Sequence, residues 1–184
     1  MTTDHTSKDF DQALERARQL VEQMGARVER QLTDALEALH SGSPSLIAQI
    51  LRHEAEVNGL ERAIDEYGGQ IIARRHPAAR DLRLVMALLG ATTDLERVGD
   101  EAKKIALYAR SLHASGWTLL PRVHQLRPMM ALVREMLRQA VQALERLDPQ
   151  AAAPLVRRDL EVNAAMGADV RHATVHELER LLHR

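Results

Sequence analysis

Glu96 and Asp100 stand four residues apart within a long apolar-periodic run, which stacks both carboxylates on one side of a helix, one turn above the other. Gly99 lies between them, where a helix interior loses about 1 kcal/mol relative to alanine. An acid pair that repels itself, beside a residue that weakens the helix, has two explanations. One is a bound cation; the other is a solvated face neutralised by Lys103 and Lys104. A second helix carries Glu54, Asn58, Glu61 and Asp65, spaced four, three and four apart on one continuous face. Glu61 and Asp65 repeat the Glu-x-x-x-Asp spacing. If the two faces meet, four or five carboxylates crowd one groove and, without a cation, raise one another's pKa. Hard cations such as Mg²⁺, Mn²⁺ or ferric iron suit an all-oxygen set, whereas zinc more often recruits histidine.

Other chemistries find little support. There are no cysteines, which removes disulfides, thiolate metal sites and cysteine nucleophiles. A redox di-iron bundle uses paired Glu-x-x-His motifs; only Glu37-Ala-Leu-His40 has that form, at a helix end and without a second copy. His172 and His176 read as a solvated face. Nothing resembles a nucleophile–base set, a glycine-rich phosphate loop or a dinucleotide fingerprint, so no catalytic residue is assigned and the chain reads as a non-enzyme.

The charge balance, 25 Lys plus Arg against 26 Asp plus Glu, argues against nucleic acid, which needs a strongly positive face. The polar N-terminus has no signal-peptide core. The longest apolar run, Leu84 to Ala91, is far short of the roughly 20 residues that span a bilayer. A cytoplasmic chain without direct membrane insertion is expected.

The elements that must position the acids are helices. Apolar residues at three-four spacing predict five of them. The first runs from about Lys8 to Leu39 and the second from Pro44 to about Arg75, with Ser43 as its cap. His76-Pro77 ends the second. The third ends near Leu112, and the fourth runs from near Leu119–Pro121 to Leu147, kinked or restarted at Pro128. Asp148-Pro149 repeats the cap-plus-proline signal before a fifth helix, whose first turn Pro154 makes irregular. Short turns imply an all-α, up-down antiparallel bundle. Pairing about the Pro77 turn sets residue i level with residue 154 minus i, so Glu96 falls near Asn58 and Asp100 near Glu54.

The chain also repeats at an offset of 105 residues. Met24, Val28, Leu32 and Ala35 recur as Met129, Val133, Leu137 and Ala140, and Glu56-Val57-Asn58 as Glu161-Val162-Asn163. The expected organisation is a full three-helix repeat over 8–113 and an incomplete second repeat over 119–184, two helices without a third. The open stripe of that remainder should pack on the first unit or on another chain, so a homodimer is expected.

Three blocks in order resemble the PhoU family of phosphate-transport accessory regulators. They are Glu-x-Glu-Val-Asn-Gly-Leu-Glu-Arg-Ala-Ile-Asp-Glu (54–66), Ile-Ile-Ala-Arg-Arg-His-Pro-Ala-Ala-Arg-Asp-Leu-Arg-Leu-Val (71–85) and Asp-Leu-Glu-Arg-Val-Gly-Asp-Glu-Ala-Lys-Lys-Ile (94–105). The resemblance implies a cytoplasmic, commonly dimeric protein of two similar three-helix bundles. It implies multinuclear metal clusters (iron, manganese, magnesium or zinc) on Glu/Asp-x-x-x-Asp motifs. It implies action with the ATPase of the phosphate ABC transporter and a sensor histidine kinase, as an adaptor that represses the phosphate-starvation response. Carried over by motif, the metal residues are Glu61, Asp65, Glu96 and Asp100, with Asp94 and Glu54 behind them. The family's second acid motif has no counterpart here: Met166 and Val170 stand where Glu61 and Asp65 stand in the first copy, so a second cluster is not expected.

A basic group, Arg74, Arg75, Arg80 and Arg83, surrounds the second turn, with Asp81 in the first turn of helix three. Compensation of helix ends is one account; docking of an acidic partner or phosphate is the other. Arg75, Arg80, Asp81, Arg83 and Arg97 are the partner-binding candidates.

Overall fold

The computed structural model describes residues 3–75, 77–115, 122–146, 148 and 150–164. Among these, α1 is Thr3–Ser41, α2 is Pro44–Arg75, α3 is Ala79–Ala114 and α4 is Arg122–Arg146; α5 covers 150–164. The first three helices pack against one another in an antiparallel bundle, and α4 lies along α1.

Local chemistry accounts for the breaks. The α1–α2 turn is two residues long, and Gly42 adopts φ +65°, a left-handed conformation that costs glycine little. Its N–H returns to Ala38 O at 2.8 Å. Ser43 Oγ accepts the Leu46 N–H at 3.4 Å, capping α2 immediately before Pro44. Asp148 Oδ1 does the same for α5, accepting from Gln150 and Ala151 at 2.9 and 3.0 Å. Both caps occupy the positions that the cap-plus-proline pairs predict. Helix α4 carries Pro128 inside it, and α5 stays helical past Pro154. The irregular first turn expected at Pro154 is therefore not found among the described residues of α5, which are helical throughout 150–164. The His172–His176 pair lies outside the described residues, as do Met166 and Val170.

Buried positions on the three bundle helices follow an alternating three-four spacing. On α1 they include Ala17, Val21, Met24, Val28, Gln31, Ala35 and Ala38, with Phe10, Gly25 and Leu32 buried beside them; on α3 they are Val85, Leu88, Thr92, Leu95, Gly99, Ala102, Ala106 and Ala109. This is the seam of antiparallel helices crossing at a small angle. The apolar core falls into two clusters. One gathers Val21, Met24, Val28, Val57, Ile64, Val85, Leu88 and Leu95. The other gathers Leu32, Ala35, Ile47, Ile50, Ala102 and Ala106. At the break between them each helix contributes one residue that is not a hydrophobe with a side chain to pack: Gln31, Glu54 and Gly99. The core is divided by a polar layer.

Candidate metal centre

The polar layer is where the acid groups converge. Glu54 replaces an apolar residue on the buried stripe of α2, between Ile50 and Val57, and only 4% of it is exposed. Glu96 and Asp100 flank Gly99 on α3 and are half-buried. One carboxylate oxygen from each of Glu54, Glu96 and Asp100 lies within 4.8 Å of the others. The antiparallel register thus brings Asp100 level with Glu54, as the position of the Pro77 turn requires. Gly99 leaves room for the meeting: a Cβ there would sit 3.4 Å from Gln31 Oε1, Glu54 Oε2 and Val57 Cγ1.

Gln31, fully buried on α1, joins the layer from the third side. Its amide donates to Glu54 Oε2 at 2.7 Å and to Gly99 O at 3.1 Å. Lys103, one turn beyond Gly99 on α3, is 3.3 Å from Asp100 Oδ1 and 3.7 Å from Glu54 Oε1. The three elements of the bundle therefore meet at one amide, three carboxylates and one ammonium.

The electrostatics are those of a site short of positive charge. Burial pushes the Glu54 carboxyl above its ordinary value, and the adjacent Asp100 adds to the rise against the Gln31 hydrogen bond and Lys103. Glu96 is also raised, by desolvation first and then by Asp100 and Glu61. Asp100 is lowered, first by a hydrogen bond from the Glu54 carboxyl and then by Lys103. Three carboxylates thus face one lysine, and the raised Glu54 and Glu96 carboxyls follow from that shortfall of positive charge together with burial. Gln31 Oε1, Glu54 Oε1 and Asn58 Oδ1 are buried and accept no hydrogen bond from the described residues. Buried oxygens without donors cost free energy, and a hard cation takes such oxygens as ligands. The donor set fits a divalent or trivalent cation held by Glu54, Glu96 and Asp100.

The remaining sequence candidates lie around this group. Glu61 is half-buried, and its charge contributes to the rise at Glu96. Asp65 and Asp94 are exposed, Asp94 beside Arg97 at 3.5 Å. Asp81 is in the first turn of α3. Arg83 is exposed at the rim of a groove shared with Leu84, Ala140, Leu144 and Val156. Arg75 and Arg80 belong to α2 and α3, at either side of the second turn.

Sequence reasoning did not single out Gln31. The available signal was its register: Met24, Val28, Gln31, Ala35 and Ala38 keep the alternating spacing, so a polar residue sits where only buried ones belong. The same spacing sets Glu54, ranked behind Glu61 by motif, in line with Ile47, Ile50, Val57 and Ile64.

Comparison with known proteins agrees with this architecture. The family model described as PhoU domain matches residues 21–109. A phosphate-specific transport system accessory protein PhoU homolog from Burkholderia sp is 41% identical over 172 residues, covering 93% of this chain and 73% of that one. The PhoU accessory protein of Escherichia coli (strain K12) is 35% identical over 175 residues, covering 95% and 72%. The crystal structure of PhoU from Pseudomonas aeruginosa superposes with a TM-score of 0.86 at 34% identity, covering 92% of this chain and 81% of the other. Fold and site define a helical-bundle protein with a carboxylate centre. The chain belongs to the PhoU family.

Proposed function

We propose that this chain is an accessory regulator of phosphate uptake that also restrains the phosphate-starvation response. It acts as an adaptor between the ATPase of the phosphate ABC transporter and its sensor histidine kinase. The observation that carries this reading is the length of the match: 93% of the chain aligns at 41% identity with a phosphate-specific transport system accessory protein. No helix among the described residues is long and apolar enough to cross a membrane, so contact with a transporter is made through its exposed domains. The chain works in the cytoplasm as a homodimer, with 8–113 as the complete repeat and 119–184 as the partial one. Arg75, Arg80, Asp81, Arg83 and Arg97 form the partner face.

Within this role the carboxylate group holds a hard cation: iron, manganese or magnesium before zinc. Glu54, Glu96 and Asp100 are the ligands, with Glu61 the next carboxylate to reach it and Asp65 and Asp94 further out. The cation supplies positive charge to a junction of three helices, stabilising one arrangement of the bundle. No step of bond making or breaking is assigned to it, and the chain is not an enzyme.

Deletion of the gene tests the role. In a strain lacking it, alkaline phosphatase or transporter expression should rise at high phosphate and return to the repressed level when the chain is supplied. Unchanged expression at high phosphate would sink the regulatory reading.

One observation favours a second reading of the carboxylates. Lys103 already reaches Asp100 and Glu54, so the group can stand as an ion-paired structural node. That reading predicts no change in melting temperature on adding Mn²⁺, Mg²⁺ or iron, whereas a ligand bound only by the folded state must raise it.

A further inference from the structure

We infer that Gln31 is a positioning residue for the cation site, an inference that rests on the metal-binding reading above. The amide is fully buried and spends both of its N–H groups at the site. One goes to Glu54 Oε2 at 2.7 Å and the other to the backbone oxygen of Gly99 at 3.1 Å, one residue before Asp100. A single side chain on α1 therefore fixes a carboxylate of α2 and the stretch of α3 that presents two more.

The orientation of the amide follows from its neighbours. Turned over, it would set Oε1 against a carboxylate oxygen and a carbonyl oxygen, both acceptors. As it stands, Oε1 is buried and accepts no hydrogen bond from the described residues. For core packing alone this is a poor choice, because methionine has a similar length and no polar atom to leave unpaired. The arrangement makes sense for a ligand. Gln31 occupies Oε2 of Glu54 and leaves Oε1, which accepts no hydrogen bond, as the oxygen available to a cation. It does so without adding charge, and it holds the carboxylate in one rotamer. Outer partners that orient a ligand in this way typically contribute about 10- to 100-fold to metal affinity.

The test is Mn²⁺ titration of the full chain by calorimetry, in wild type, Gln31→Met and Thr92→Val. Thr92 is a second buried polar residue of the same seam, and among the described residues its hydroxyl donates to Leu88 O at 2.9 Å. The expected result is that Gln31→Met melts cooperatively and binds Mn²⁺ about 10- to 100-fold more weakly, with Thr92→Val binding as wild type. If Gln31→Met does not fold, Gln31→Asn, too short to reach both acceptors, decides in the same terms. Wild-type affinity in the folded Gln31 variant would overturn the inference and leave the metal site standing. So would an equal loss in Thr92→Val, since the effect would then be general loosening. No Mn²⁺ bound by wild type would remove the metal reading itself, and the role of Gln31 with it.

Discussion

The Lys103 ammonium stands 3.7 Å from Glu54 Oε1, an oxygen of that buried carboxylate that accepts no hydrogen bond. The lysine is half-exposed and also 3.3 Å from Asp100, so it shares the negative field in which a cation would sit. Lysine and metal are then competitors for one position. Replacing Lys103 with Met should lower the stability of the metal-free protein by about 1 kcal/mol and tighten Mn²⁺ binding. Thermal melts with and without Mn²⁺ read both effects. Weaker Mn²⁺ binding in the variant would mean that Lys103 supports the site.

The pH dependence of the metal-free protein follows from the raised carboxyls. Glu54 and Glu96 hold protons in the folded state at a pH where the unfolded chain has released them. Where the folded state binds more protons, stability falls as pH rises. The decline should begin near 4.5, the ordinary value for these groups, and continue as pH rises through their raised folded-state values. Asp100, held low, contributes the opposite way, and its share is lost only on acidification below its ordinary 3.8. Urea denaturation across this range should show the decline, and Glu54→Gln should flatten it. Saturating Mn²⁺ should reverse the slope, because the ligands bind metal only when deprotonated.

Gly99 gives a steric prediction. An added Cβ meets Gln31 Oε1, Glu54 Oε2 and Val57 Cγ1 at 3.4 Å, the edge of ordinary contact. Gly99→Ala gains about 1 kcal/mol of helix propensity against that crowding and should change stability by less than about 1 kcal/mol. Gly99→Leu has no space and should cost about 3 kcal/mol or more. Denaturant midpoints at constant slope measure both.

Gly25 does the same work where α4 meets α1. A Cβ there would lie 2.8 Å from both methyl carbons of Val141, a β-branched side chain with little freedom to turn aside. Gly25→Ala should therefore lower stability by about 1–3 kcal/mol and speed amide exchange in α4 while sparing the α2–α3 pair. Exchange mapped by mass spectrometry distinguishes this from uniform destabilisation.

Much of the bundle was legible because its punctuation is chemical. Ser43-Pro44 and His76-Pro77 delimit α2 at the predicted residues, Pro44–Arg75. The same Pro77 fixes the register that brings Asp100 to Glu54. The start of α1 was less legible. The apolar stripe begins at Phe10, whereas the helix begins at Thr3, since nothing in the polar segment breaks a helix already under way. The family resemblance was carried by the 54–66, 71–85 and 94–105 blocks, and the comparisons bear it out. What motif matching did not supply was which acid turns inward, although the spacing of Ile47, Ile50, Glu54, Val57 and Ile64 carried that signal. Motif favoured Glu61 and Asp65; burial favours Glu54, whose place on the seam depends on how α1 and α3 close over it. For Gln31 the register marked a buried position, but its role was not legible, because a buried amide is recognised by its partners, which come from two other helices.

Cation binding by the polar layer, as proposed, rests on Glu54, Glu96 and Asp100. The direct measurement is metal content by elemental analysis of protein purified without chelator, wild type beside Glu54→Gln/Asp100→Asn. These substitutions keep the shape of the side chains and remove two of the three charges. Iron, manganese or magnesium is expected in the wild type and its loss from the variant, with both proteins folded. Metal-free wild type, or equal metal in the two, would contradict it.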